Sequence, residues 1–293
     1  MNIRVNSGLA AGLVGVMLMA CAPAIADAQQ TDSKLYDVLD RGKLVLGTGS
    51  TNVPWHFVDE NNELAGFDVD MGKIIARALF DDESKIEYIR QAPDARIPNL
   101  LTDKADITCQ FMTINASRAQ KVEFTIPYYR EGVALILNKK GSYPDRASID
   151  KALENGETVR VSVLQNADVE TTVHDVIEGV EIDQYEEQGL VFEALDTGRA
   201  DGGIVDLSNA LWLTNKFPDR YAHGGDGERG SSYGCAVKPG DPIWLNFVNT
   251  ALREAMNGQD FDQYADAFDK WFGVRPPAPK IGFPMELRGS AGK

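Results

Sequence analysis

Apolar positions along the chain come in short runs separated by polar turns, and the period of each run names an element. Ser33 to Arg41 reads as a helix closed by Gly42, and Lys43 to Thr48 as a strand. Gly66-Phe67-Asp68 opens a helix in which Met71, Ile74, Ile75, Ala78 and Leu79 fall at offsets 0, 3, 4, 7 and 8, which is one apolar face. Lys85 to Arg90 is a strand by its β-branched and aromatic content. A helix carrying Pro98 and a strand around Ile107 follow. This β-α-β-α-β order predicts a parallel sheet covered by helices.

The rhythm then restarts. Strands are expected at Gly132–Leu137, Thr158–Val163, Val180–Tyr185 and Gly202–Val205. Helices are expected at Ile149–Glu154, Asp168–Ile177, Gln188–Leu195 and Ser208–Lys216. Two α/β units result, the second near residues 137–232. Beyond it come a strand at Tyr233–Lys238 and two helices, Ile243–Met256 and Phe261–Phe272. The tail 274–293 is rich in proline and carries no core pattern. The glycine-rich stretch from Gly224 to Gly230 lacks a Lys-Ser/Thr pair and does not lead from a strand into a helix. It reads as a hinge-side loop rather than a phosphate cradle.

The first residues are a targeting segment. Arg4 is the only charge before an apolar run from Leu9 to Met19, too short to span a bilayer. Ala24-Ile25-Ala26 and Ala26-Asp27-Ala28 both fit small-x-small cleavage. A signal peptide over 1–26 and a soluble periplasmic product are preferred to lipid anchoring at Cys21. Export leaves two cysteines, Cys109 and Cys235. In an oxidising compartment they are disulfide candidates, against the alternative of two buried thiols.

The net charge of −15 over 293 residues argues against nucleic acid or an anionic membrane as partner. His56, His174 and His223 lack metal-ligand spacing. No Gly-x-Ser-x-Gly elbow is present, so a serine hydrolase has no anchor. No cofactor, no metal and no enzymatic activity are expected.

The chemistry concentrates in Ala105 to Arg118, which continues through Phe124-Thr125-Ile126-Pro127-Tyr128-Tyr129. A short apolar strand runs into a polar loop holding Thr113, and Arg118 follows five residues later. A guanidinium is a planar fork of donors matched to a carboxylate. Asp206 ends another apolar strand. Together they suggest a site for a molecule bearing both a carboxylate and an amine. Alternatively, Arg118 is a surface residue and Asp206 caps the helix near Ser208. That both follow strand ends in α/β units favours the site, because ligands of such sheets lie beyond the carboxyl ends of strands.

The chain resembles the periplasmic polar amino-acid-binding proteins, the receptors of ABC importers. The matching residues are Arg41-Gly42-Lys43-Leu44-Val45-Leu46-Gly47-Thr48, Gly66-Phe67-Asp68-Val69-Asp70, Thr113-Ile114 with Arg118, Leu195 to Asp201, Asp206, and Lys270-Trp271-Phe272. Arg96-Ile97-Pro98, Cys109, Tyr233-Gly234-Cys235 and the Pro276-Pro277 to Phe283-Pro284-Met285 tail resemble the glutamate/aspartate-binding branch.

The resemblance implies a two-lobe Venus-flytrap fold of type II with two crossing hinge strands. Lobe 1 would comprise 30–136 and 233–273, and lobe 2 137–232. The protein would be a monomer that delivers a glutamate-, aspartate- or glutamine-like amino acid to a permease. Arg118 and Thr113 would hold the α-carboxylate, Asp206 the α-ammonium, and Arg96 would reach the ligand's side chain. Cys235 would lie beside Cys109 and form a disulfide.

Four positions depart from that branch. Gly49 stands where it places a second arginine, and Phe111 replaces a serine. Asp168 replaces a hydroxyl, and Gln188 a histidine. Trp55 and Phe111 are expected to wall a less charged side chain. Some relatives on this scaffold are cyclohexadienyl dehydratases, and others are sensory modules; these are the alternative functions.

Overall fold

The computed structural model describes Met1 and residues 32–282, except Ala167. The expected signal peptide, Cys21 and the end of the tail lie outside the described residues.

The amino-terminal half follows the expected order. Helix α1 (Lys34–Arg41) is capped by the Ser33 side chain and closed by Gly42 at φ 72°, a left-handed turn that suits glycine. Strand β1 (Leu44–Thr48) leads to a small three-stranded sheet, β2 (Thr51–Asn52), β3 (His56–Val58) and β4 (Leu64–Ala65). That sheet was unforeseen, because Pro54, Asn61 and Asn62 mark the stretch as a loop. Helix α2 (Phe67–Phe80) buries Met71, Ile74 and Ile75 as the periodicity predicts. Its apolar face is turned slightly, burying Ala76 while Ala78 is exposed. Next come β5 (Ile86–Arg90), α3 (Arg96–Leu101), β6 (Ile107–Thr108), α4 (Ala116–Ala119) and β7 (Glu123–Phe124).

The chain then crosses on β8 (Tyr129–Glu131) into a second sheet. Its elements are β9 (Val133–Asn138), α5 (Arg146–Glu154), β10 (Arg160–Leu164), α6 (Val169–His174), β11 (Glu181–Tyr185), α7 (Gln188–Asp196), β12 (Gly202–Asp206), α8 (Leu207–Lys216) and β13 (Tyr221–Asp226). It returns on β14 (Ser231–Tyr233), adds β15 (Ala236–Val237), and ends on α9 (Pro242–Asn257) and α10 (Phe261–Phe272). Two expectations fail locally. The strand expected over Tyr233–Lys238 is broken between Tyr233 and Ala236. Gly224 and Gly225 are strand residues of β13 rather than loop, and a Cβ on Gly224 would stand 2.8 Å from Leu135.

The two five-stranded sheets share one plan. The first is ordered β5-β1-β6-β15-β7, with β1 parallel to β5 and β6. The second is ordered β11-β10-β12-β9-β13, with β10 parallel to β11 and β12. In each, the strand from the opposite crossing joins antiparallel. The crossing strands β8 and β14 pair antiparallel, Tyr129 opposite Tyr233. This is the two-lobe, type II arrangement that the resemblance implied. The bond Cys109–Cys235 joins the end of β6 to the start of β15, with Cα atoms 4.4 Å apart.

Candidate functional site

The carboxyl ends of β6, β10 and β12 open onto one cavity of about 140 Å³ between the lobes. Arg96, Phe111, Thr113, Arg118, Asp168, Gln188 and Asp206 all line it. Seven of the eight residues expected to touch ligand are thereby brought together. Trp55 is not. It is fully buried among Phe67, Tyr129, Tyr233 and Phe272. Its indole donates to Ser208 Oγ of the second lobe at 2.8 Å, so it bridges the lobes rather than walling the cavity.

Each wall residue is held by local chemistry. The Asn115 side chain caps α4 by accepting from Arg118 N at 2.9 Å, which fixes where that guanidinium starts. Arg118 Nη1 donates to Thr113 O at 3.0 Å. The Thr113 segment is itself tied to the hinge, with Ile114 N on Ser232 O at 2.9 Å. Arg118 has no ion-pair partner within 4 Å among the described residues. Burial lowers its pKa, while nearby Asp168 raises it. Asp168 accepts from Asn115 Nδ2 across the cleft at 2.9 Å.

Phe111 is the strained member, with φ 35°. A bulky residue there carries a conformational cost that the surroundings must offset. The peptide joining Gln110 to Phe111 is gripped at both ends. Its carbonyl accepts from Arg96 Nη1 at 3.0 Å, and its N–H donates to Asp68 Oδ2 at 2.8 Å. Arg96 also donates to Pro93 O at 2.6 Å and lies 5.3 Å from the Phe111 ring centre. Burial, then the charge of Arg118, pushes the Arg96 pKa down to about 9. Much of this guanidinium is thus engaged with backbone.

Asp206 stands at the N-terminus of α8 without capping it through its side chain. Glu131 of the hinge does that work: Oε1 accepts from Ser208 N at 3.2 Å and Oε2 from Ser208 Oγ at 2.6 Å. The Asp206 carboxylate is thereby released to the cavity, where Oδ2 is buried without a hydrogen-bond partner. Burial raises the Asp206 carboxyl to about 7, with Asp68 adding to the rise and Tyr233 opposing it. Burial and the Asp206 charge raise Glu131 to about 8. Gln188 Nε2 is likewise buried and unpartnered. Buried orphan polar atoms are rare in folded proteins and call for a ligand or water.

A second cavity of about 140 Å³ adjoins the first, and Phe111, Leu164 and Gln188 line both. Its inner wall carries His56, Gln91 and Gln110. His56 Nδ1 lies 2.8 Å from Asp68 Oδ2, and its ring stacks on Phe111 at 4.7 Å. A Cβ at Gly49 would lie 2.5 Å from the His56 ring. The imidazole therefore fills the space into which a longer residue 49 would project. His56, Arg90, Gln91, Gln110, Glu187 and Tyr233 are among the wall residues that the sequence did not disclose as such. For His56 the signal was proximity to Trp55, and for Tyr233 its place in the Tyr233-Gly234-Cys235 motif.

The cleft is shut by polar contacts on more than one side. Asn209 Nδ2 donates to Asn52 Oδ1 at 2.5 Å and to Val53 O. The Trp55–Ser208 and Asn115–Asp168 bonds join the lobes elsewhere. Two α/β lobes, a crossing ribbon and an interlobe cavity lined by opposite charges define a solute receptor of the flytrap class. The sequence profile of the bacterial extracellular solute-binding proteins, family 3, matches residues 44–274, and the chain belongs to that family.

Among its relatives, the L-cystine-binding protein TcyJ of Escherichia coli is 26% identical, covering 89% of this chain and 95% of that protein. The L-glutamate/L-aspartate-binding protein of Pseudomonas aeruginosa is 25% identical, covering 92% and 90%. The crystal structure of the ancestral amino acid-binding protein AncCDT-1, a precursor of cyclohexadienyl dehydratase, superposes with a TM-score of 0.70. It is 28% identical, covering 82% of this chain and 100% of that one.

Proposed function

We propose that the protein captures a polar amino acid outside the cytoplasm and presents it, as a monomer, to the permease of an ABC importer. The carrying observation is the cavity itself, lined by a guanidinium free of ion pairs among the described residues and by a buried carboxylate with an orphaned oxygen. Arg118 and Thr113 take the α-carboxylate, and Asp206 with Tyr233 takes the α-ammonium. Arg96 and Asp68 position Phe111, against which the side chain lies. The relatives named for cystine and for glutamate/aspartate are binding proteins, which supports a receptor over an enzyme. Their near-equal identities leave no basis for preferring the glutamate/aspartate branch. We take the second lobe as beginning near residue 132, because β9 lies wholly within the second sheet.

A thermal-shift screen of the exported protein against the amino acids tests this reading. A true ligand raises Tm progressively with concentration, and a screen without any hit refutes it.

The acid of the cavity adds a pH dependence. A carboxyl with pKa 3.8 unfolded and about 7 folded binds more protons when folded, so unliganded stability falls as pH rises from about 4 to 7. An ammonium must displace the proton from Asp206. Affinity should therefore rise with pH, by roughly tenfold or more between pH 5.5 and 7.5, as expected when one proton is released on binding. Calorimetry at both pH values checks this, and Asp206→Asn should remove most of the affinity and flatten the slope, leaving only what Glu131 contributes.

A further inference from the structure

The second cavity, like the first, takes a cationic group from the first lobe and an acidic group from the second. Arg90, at the end of β5, and Glu187, immediately before α7, both line it and come from opposite lobes. Neither is ion-paired among the described residues. In the first cavity Arg118 comes from the first lobe and Asp206 from the second. The first cavity presents two guanidiniums from the first lobe, Arg96 and Arg118, and two carboxylates from the second, Asp168 and Asp206; the second cavity presents one of each, in the same lobe order. Phe111, Leu164 and Gln188 form the lining common to both, and Gln188 Nε2 has no partner.

A ligand with a single head and a charged tail fits this pattern poorly. A carboxylate tail satisfies Arg90 but faces Glu187, and a cationic tail does the reverse. A tail that is itself zwitterionic satisfies both. The inner end of the cavity suits such a group as well. With Nδ1–H donated to Asp68, His56 Nε2 is left as an acceptor, and Gln91 and Gln110 line the same wall.

We propose that the ligand is a bis-amino acid, with an α-amino-acid group at each end. One head is gripped by Arg118 and Asp206, the other by Arg90 and Glu187, and the linker passes between Phe111 and Gln188. This rests on the amino-acid-receptor reading and narrows it to one ligand class.

The test is calorimetry on the exported protein in non-reducing buffer, with its disulfide intact. The two-headed probes are L-cystine, L,L-cystathionine and diaminopimelate. The one-headed probes are S-methyl-L-cysteine, L-glutamate and L-arginine. At least one two-headed probe should bind about tenfold or more tighter than every one-headed probe. Arg90→Gln and Glu187→Gln, both at exposed positions, should each weaken that probe on the order of fivefold, the scale of one charge-assisted contact at a solvated rim. They should leave S-methyl-L-cysteine within about twofold. Equal or tighter binding of a one-headed probe overturns the proposal, as does an equal effect of either variant on both probe types. If one-headed probes bind and two-headed ones do not, only this proposal falls. If no probe binds but the amino-acid screen gives a hit, again only this proposal falls; if neither gives a hit, the receptor reading falls with it.

Discussion

Replacing Arg118 by alanine is expected to lower affinity for the ligand by about a hundredfold, the largest single loss in the site. The guanidinium is half-buried and without an ion pair, and burial already depresses its pKa. A ligand carboxylate would supply the compensating charge, and bonds of that kind contribute about 1.5–3 kcal/mol each. Two parallel bonds from the fork, less the cost of ordering the ligand, give roughly 3 kcal/mol, or about two decades in Kd. Stability of the empty protein should change little, since among the described residues the side chain's hydrogen bond is the one to Thr113 O. Arg118→Lys separates charge from geometry. It keeps the cation, loses the fork, and should recover only part of the affinity. An unchanged Kd for Arg118→Ala would remove this residue from the site. Arg96 is a poorer target despite its position. Its bonds to Pro93 O and Gln110 O hold the strained Phe111 peptide, so truncation would confound binding with folding.

How much of this was legible depended on sequence distance. The face of α2 and the convergence of Thr113, Arg118 and Asp206 needed only a period of 3.6 and the rule that ligands sit beyond strand ends. What escaped reading was set by partners remote in sequence. Trp55 was expected to touch ligand because it is aromatic and lies in the loop after the first strand. Its indole instead finds Ser208, 153 residues away, and its faces are taken by hinge and carboxy-terminal aromatics. Asp206 could be read as a cap or as a ligand group. Only Glu131, reaching α8 from the hinge, decides between them. Phe111 replaces a smaller residue of the resembled branch, but its left-handed backbone depends on Asp68 and Arg96 acting from two other elements. Gly49 registered as a missing arginine, whereas the structure gives its place to His56.

The second large effect is expected from the disulfide. Changing both Cys109 and Cys235 to alanine opens a bond that spans 126 residues and encloses the entire second lobe. For a loop of that length the chain-entropy model gives about 4–5 kcal/mol, an upper figure because the reduced unfolded chain retains some order. For a chain of this size that corresponds to a fall in Tm of roughly 7–9 °C. Thermal unfolding with and without reductant, together with thiol counting on the native exported protein, checks this. Two reactive thiols at these positions in the oxidised protein, or an unchanged Tm for the double variant, would refute it. Binding should weaken too, but by less than about tenfold. Cys109 precedes Phe111 by two residues, and Cys235 follows Tyr233 by two, so the bond steadies two walls of the cavity without touching the ligand. The segment around it keeps its own backbone bonds, Thr125 N to Cys235 O at 2.9 Å among them. The first lobe should therefore remain assembled in the double variant, with the site loosened rather than lost.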